Sequence, residues 1–286
     1  MPISVARRLL ALCGALVLGA CVSEPPPPPT EPPFLRTYAP ENAEPGINRY
    51  PVVILVPGCL SPAEGSGAPQ YERFGKRLAE EGYFVGLISW RGAWPGHAGC
   101  AAYADANAIA AEIDRAASAL RQSALAQKDR IHLVGWSRAA LGVIAAIGTG
   151  HGADPAYRAS TIIYPDCPTE TAWTSNTSLQ FLLSAQEEEA AERCRKFADD
   201  ADGPAPIAIL EYDVPRGFDI RPSADPAYAW IFNGRDNSTY DPAMTEAAYT
   251  EILKFLRIGD PRPAAAANAA GGSILTPPVP PLPTPH

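Results

Sequence analysis

The sequence predicts an α/β domain, a mostly parallel central sheet with helices on both faces. Three observations lead there. Apolar runs of strand length alternate along the chain with stretches of helical period. These runs close on short turn signals where a strand would hand over to a helix. One such junction reads Gly135-Trp136-Ser137-Arg138-Ala139, a serine held between small residues in a strand-turn-helix setting. Strands joined by right-handed crossover helices return the chain in the same direction, so the loops after the strands gather on one side of the sheet. Sites in such sheets lie on that side.

Each element has its own signal. Val52-Val53-Ile54-Leu55-Val56 is a continuous apolar run closed by Pro57-Gly58, the pattern of a strand buried on both faces. Tyr71, Phe74 and Leu78 share one helical face; Gly82 stops that helix, and a second strand is predicted at 83–89. Ile109, Ile113, Ala116 and Leu120 mark a long amphipathic helix. A third strand at 131–134 runs into the serine turn and then an apolar helix through Leu141, Val143, Ile144 and Ile147. Further strands are predicted at 161–164, 179–183 and 207–210. Asp241-Pro242, an N-cap followed by proline at the first helical position, opens the last helix, with Tyr249, Ile252, Leu253 and Leu256 on one face.

At 286 residues, with 47% hydrophobic and 19% charged, the chain is long enough for one large domain and needs no second. A formal net charge of −8 argues against nucleic acid as a partner. Arg7 and Arg8 precede an apolar run at 9–18 that is too short to span a bilayer, so 1–20 reads as a signal peptide. Leu18-Gly19-Ala20-Cys21 resembles a bacterial lipobox, which makes Cys21 the expected lipidation site; the plainer alternative is an ordinary cleavage site with an incidental cysteine. A stiff proline-rich linker completes 21–36 and would hold the domain, predicted at 37–258, away from a membrane surface. Residues 259–286, rich in Pro and Ala, are predicted to be a disordered tail. The chain is thus expected to be an exported envelope lipoprotein, periplasmic or on the outer face, touching the membrane through its anchor.

Ser137 is the candidate nucleophile. The turn places it at a helix N-terminus, where the Arg138 N–H supplies one oxyanion donor; the Cys59 N–H, in the loop after the first strand, is the expected second. The chain has six cysteines. Loss of Cys13 with the signal and lipidation of Cys21 would leave Cys59, Cys100, Cys167 and Cys194. An even count in an exported protein favours disulfides, and the wide spacing lacks the short-range pairs of a zinc site, so neither metal nor cofactor is expected. Three pairings are open to sequence. The expected one joins Cys59 to Cys100 and Cys167 to Cys194, each linking loops that follow neighbouring elements.

These landmarks together resemble the dienelactone hydrolase family of the α/β-hydrolase fold, roughly over 50–256. Val56-Pro57-Gly58-Cys59 stands where that family has a His-Gly-Cys-type turn, and Gly82-Tyr83-Phe84-Val85 is similar to its helix-to-strand junction. Arg91-Gly92 with Cys100 looks like the loop after that strand. Tyr164-Pro165-Asp166-Cys167 resembles a Tyr-Pro-x-Cys turn, and Tyr240-Asp241-Pro242 opens the final helix. The resemblance implies a serine nucleophile followed by an acid and then a histidine. Glu187 falls where the acid should be; the competing reading makes Glu187, Glu188 and Glu189 the solvated first turn of a helix. The histidine's context reads Val214-Pro215-Arg216-Gly217-Phe218-Asp219, so Arg216 stands in its place. A guanidinium stays protonated at any workable pH and cannot serve as a base, although it could hold an anion or pair with Glu187.

The other histidines offer little. His132 falls inside a predicted strand, His151 at the far end of the helix after the serine, and His286 in the tail. His97 alone lies in a loop on the active side and is the alternative base, its plainer reading being a surface loop residue. Two readings of function follow. One is a serine hydrolase of small esters or lactones, weak or inactive for want of a base. The other is a non-catalytic relative that binds a carboxylate ligand or a protein partner at the envelope.

Overall fold

A computed structural model of the chain describes residues 35–58, 69–88, 105–148, 157–169, 173–203, 205–221 and 239–258. Cys21, Cys59, His97, Cys100, His151, His286, the signal peptide, most of the proline-rich stretch and the tail lie outside the described residues. The seven strands among them are β1 (Leu35–Tyr38), β2 (Tyr50–Val56), β3 (Phe84–Ile88), β4 (Ala126–Trp136), β5 (Ala159–Ile163), β6 (Ser178–Ser184) and β7 (Ile207–Tyr212). They form one sheet in the order β1-β3-β2-β4-β5-β6-β7. Only β1 runs antiparallel to its neighbour. The helices are α1 (Pro69–Glu80), α2 (Ala106–Gln122), α3 (Ala139–Ile147), α4 (Glu188–Asp199) and α5 (Pro242–Ile258).

The helices divide between the two faces, as predicted. Buried side chains of α2, α3 and α4 pack in one core with Val52, Ile54 and Val56. Those of α1 and α5 pack in a second core with Val53 and Leu55. A strand with both faces covered in this way shows no polar alternation, which is why 52–56 reads as an unbroken apolar run. Asp241 caps α5 as expected, its carboxylate accepting the Met244 N–H at 3.0 Å. No helix among the described residues is long and apolar enough to cross a membrane.

Two boundaries depart most from the sequence reading. Leu35 and Arg36, assigned to the linker, belong to β1, which pairs along the β3 edge. The strand is only four residues long and follows closely on the prolines, so its single buried residue, Leu35, leaves no periodic trace. β4 begins at Ala126 rather than at 131, because the polar residues 127–130 continue it past an irregularity in its pairing with β2. His132 lies in this strand, fully buried, and neither ring nitrogen has a hydrogen-bond partner. Burial first, then the charges of Arg130 and Arg158, pushes it down to about 3.

Candidate active site

The parallel strands β4 to β7 end side by side, and the loop after each contributes one polar residue to a single cluster. Ser137 follows β4 with φ +55, a left-handed conformation uncommon for a residue with a Cβ. Its N–H donates to the Ile163 carbonyl of β5 at 2.9 Å, and its carbonyl accepts the Ala140 N–H at 3.0 Å. The turn is therefore fixed by the sheet on one side and the start of α3 on the other. Arg138 is the N-cap of α3, and its side chain makes no capping bond. The loop after β2 approaches closely: a Cβ at Gly58 would lie 2.9 Å from the Trp136 carbonyl oxygen and 3.1 Å from the Ser137 Cβ, so a side chain there would push the loop off the elbow.

Arg216 sits over the serine. Its Nη1 donates to Ser137 Oγ at 2.9 Å, and its Nε donates to Glu187 at 2.9 Å and 2.7 Å from the two carboxylate oxygens. Its Nη2 donates to Asp166 at 3.1 Å. Asp166 also lies 3.7 Å from Nε of Arg138. Burial alone would lower the Arg216 pKa, but the carboxylates of Asp166 and Glu187 more than offset that and raise it above its ordinary value. The group facing Ser137 Oγ is therefore a permanent cation with hydrogens to donate and no lone pair to offer. The Tyr164 ring lies against the guanidinium, 5.6 Å from its central carbon.

The cluster is braced from several sides. A disulfide joins Cys167, next to Asp166, to Cys194 of α4, the helix whose N-cap residue is Glu187. Ser184 Oγ donates to the Val214 carbonyl at 2.5 Å, and the Ala185 N–H donates to the Tyr212 carbonyl at 2.9 Å, tying the loops after β6 and β7 together. The Phe218 carbonyl accepts from the Asp241 N–H at 2.9 Å and from Thr245 Oγ1 at 3.0 Å, which fixes the Arg216 loop to α5. Beneath it the fully buried Asp219 accepts from Tyr164 OH at 2.8 Å and Trp136 Nε1 at 2.9 Å. Burial raises the Asp219 pKa, against the lowering effect of those two donors.

Sequence reasoning named Ser137, Glu187 and Arg216, and the structure brings these three together. Glu187 is the N-cap residue of α4, just ahead of the first turn that holds Glu188 and Glu189, and its carboxylate accepts from Arg216. Cys167 and Cys194 pair, while the expected partners Cys59 and Cys100, together with His97 and Cys21, lie outside the described residues. His132 faces the core within β4 and does not join the cluster. Asp166, Tyr164 and Asp219 were missed as site residues. The first two stood in the Tyr-Pro-Asp-Cys turn, quoted only as a landmark, and the clue was a carboxylate in a loop after a strand. Among the described residues no group of His, Cys, Asp or Glu is placed to hold a metal ion.

No known family model matches the sequence, and no curated protein matches it. Solved structures do. A dienelactone hydrolase-like promiscuous phosphotriesterase from metagenomic libraries superposes with a TM-score of 0.59 at 14% identity, over 78% of this chain and 91% of that one. Esterase 2 of Thermogutta terrifontis, in a phosphonylated form, gives 0.57 at 11% identity, over 78% and 89%. A Klebsiella pneumoniae protein assigned as a dienelactone hydrolase gives 0.53 at 18% identity, over 78% and 91%. At such identities the likeness is one of architecture, and with the sheet and the elbow above it establishes that this chain has the α/β-hydrolase fold.

Proposed function

We propose that the protein is a dienelactone hydrolase-like serine hydrolase of small esters or lactones whose turnover is very weak or absent, because Arg216 occupies the place of the general base. The observation that carries this reading is the 2.9 Å hydrogen bond from Arg216 Nη1 to Ser137 Oγ. A serine attacking a carbonyl must pass its proton to an acceptor in the transition state. A protonated guanidinium cannot take it. Removing a member of a catalytic triad leaves only the residual rate that the oxyanion donors and substrate binding supply.

The ligand-binding alternative fits the charges less well. Arg216 already faces Glu187 and Asp166, and Asp166 also lies near Arg138, so an incoming carboxylate would have to displace one of the protein's own. An active-site-directed serine probe tests the proposal without any guess at a substrate. Labelling of wild type is expected to be slow or undetectable, and Ser137→Ala should show none. Rapid labelling of wild type at Ser137 would overturn the weak-hydrolase reading.

The envelope setting is part of the same proposal and rests on the lipobox-like Leu18-Gly19-Ala20-Cys21. Cys21→Ala should move the protein from the membrane fraction to the soluble one, followed by fractionation and blotting. A mutant that stays wholly with the membranes would show that Cys21 is not the anchor.

A further inference from the structure

Asp219 is the only fully buried acidic side chain among the described residues, with 0% of its surface exposed. A buried carboxylate is costly, and an apolar side chain of similar volume would suit the surroundings better if stability were the only demand. Its two hydrogen-bond donors, Tyr164 OH and Trp136 Nε1, are neutral groups, so it is not one half of a hydrogen-bonded ion pair. What distinguishes it is where those donors stand. Trp136 immediately precedes Ser137 at φ +55, and Tyr164 itself has φ +37. These are the two left-handed residues with side chains among the described ones, and they lie at the ends of adjacent strands, linked by the Ser137 N–H to Ile163 carbonyl bond. A conformation of this kind is strained and persists only where its surroundings over-determine it.

Asp219 also stands three residues beyond Arg216, in the loop that follows β7. Tyr164 therefore meets that loop twice, through its hydroxyl on Asp219 and through its ring against the Arg216 guanidinium. We propose that Asp219 is the positioning residue of this site: by gripping Trp136 and Tyr164 from beneath, it sets the elbow, the β5 turn and the Arg216 loop in one register, so that the guanidinium reaches Ser137 Oγ. Asp219 touches neither Ser137 nor Arg216 through its carboxylate and acts through the two aromatic residues. Its oxygens accept from two donors fixed in direction by planar rings, and a geometric link of that kind is lost when a hydrogen-bonding side chain is removed but kept when a similar one replaces it.

The test reads the position of Arg216 directly. In the 15N-labelled full chain the Arg216 Nε–H resonance, assigned by its absence from Arg216→Lys, reports the bond to Glu187. Asp219→Ala should move it to the position of an exposed arginine and raise its exchange with water at least tenfold. Asp219→Asn keeps an oxygen for Trp136 and an amide near the Tyr164 hydroxyl, and should leave the resonance close to wild type. A merely structural role would lower the stability of both variants and leave the resonance where it was, and that result in folded Asp219→Ala would overturn the proposal. Should Asp219→Ala fail to fold, Tyr164→Phe carries the test by deleting one donor; an unmoved resonance there would overturn it equally.

A second arm rests on the weak-hydrolase reading above. Adding Asp219→Ala to Arg216→His should lower kcat at least tenfold relative to Arg216→His alone with KM little changed, and Asp219→Asn should restore most of it. A response of the Arg216 resonance together with no gain from Arg216→His would remove the weak-hydrolase reading and leave the positioning role standing.

Discussion

Arg216→His is expected to raise the turnover of small activated esters, and the labelling of Ser137, by roughly 10²- to 10⁴-fold, the usual contribution of a general base. The geometry supports so large a change from one substitution. Arg216 already bridges Glu187 and Ser137, with Nε on the carboxylate and Nη1 on the serine Oγ. An imidazole also presents two nitrogens on opposite sides of its ring, one able to donate to a carboxylate while the other accepts a proton at neutral pH. Replacing the cation would leave Glu187 to orient the new base and the elbow to present the serine. His97→Ala should do little in either background. Initial rates on a chromogenic ester across the four variants decide the matter. If wild type is already brisk and His97→Ala abolishes its activity, the base comes from the other loop; if Arg216→His folds and gains nothing, either Glu187 is not the acid or Arg216 does not stand in the histidine's position.

The second large effect concerns acid stability. Lowering the pH from 7 to 5 should cost the wild-type fold about 2 kcal/mol more than it costs His132→Leu. His132 is buried with both ring nitrogens unpartnered, and its pKa in the folded state lies at about 3 against an ordinary 6.5. Between those values the unfolded chain binds a proton that the folded chain refuses. The contribution of neutral His132 is thus complete above about pH 6.5 and is lost progressively as the pH falls toward 3. The slope is about 1.4 kcal/mol per pH unit. Urea unfolding of both proteins at the two pH values measures the difference. Equal pH dependence in wild type and His132→Leu would mean that another group controls acid unfolding.

Much of the scaffold was legible because its strands are buried on both faces and its helices on one. Runs such as 52–56 and 179–183 and the apolar stripes of α2 and α5 carry their burial in the residue types themselves. What escaped was set by pairing rather than by composition. β1 is a strand because the β3 edge accepts it, and the first part of β4 is a strand because β2 runs alongside, although residues 127–130 are polar. The same holds for the site. Ser137 was visible as a local turn, and Arg216 as a departure from a pattern. Asp166 and Asp219 matter through contacts across 50 and 83 residues of sequence, to Arg216 and Trp136 respectively, and no local pattern encodes such contacts.

The order of the sheet also implies an order in time. Strands β4, β5, β6 and β7 are neighbours in the same sequence in which the ribosome delivers them, and each is followed by one member of the cluster: Ser137, Asp166, Glu187, Arg216. As the chain emerges, the serine comes first and the guanidinium last, about eighty residues later, which at the usual pace of synthesis is a delay of several seconds. During that interval the nascent chain carries a serine turn without the cation that covers it. Shortening the chain before β7 would strand every copy at this stage. The clamp is therefore a late event of biogenesis, and its arrival follows the completion of β7.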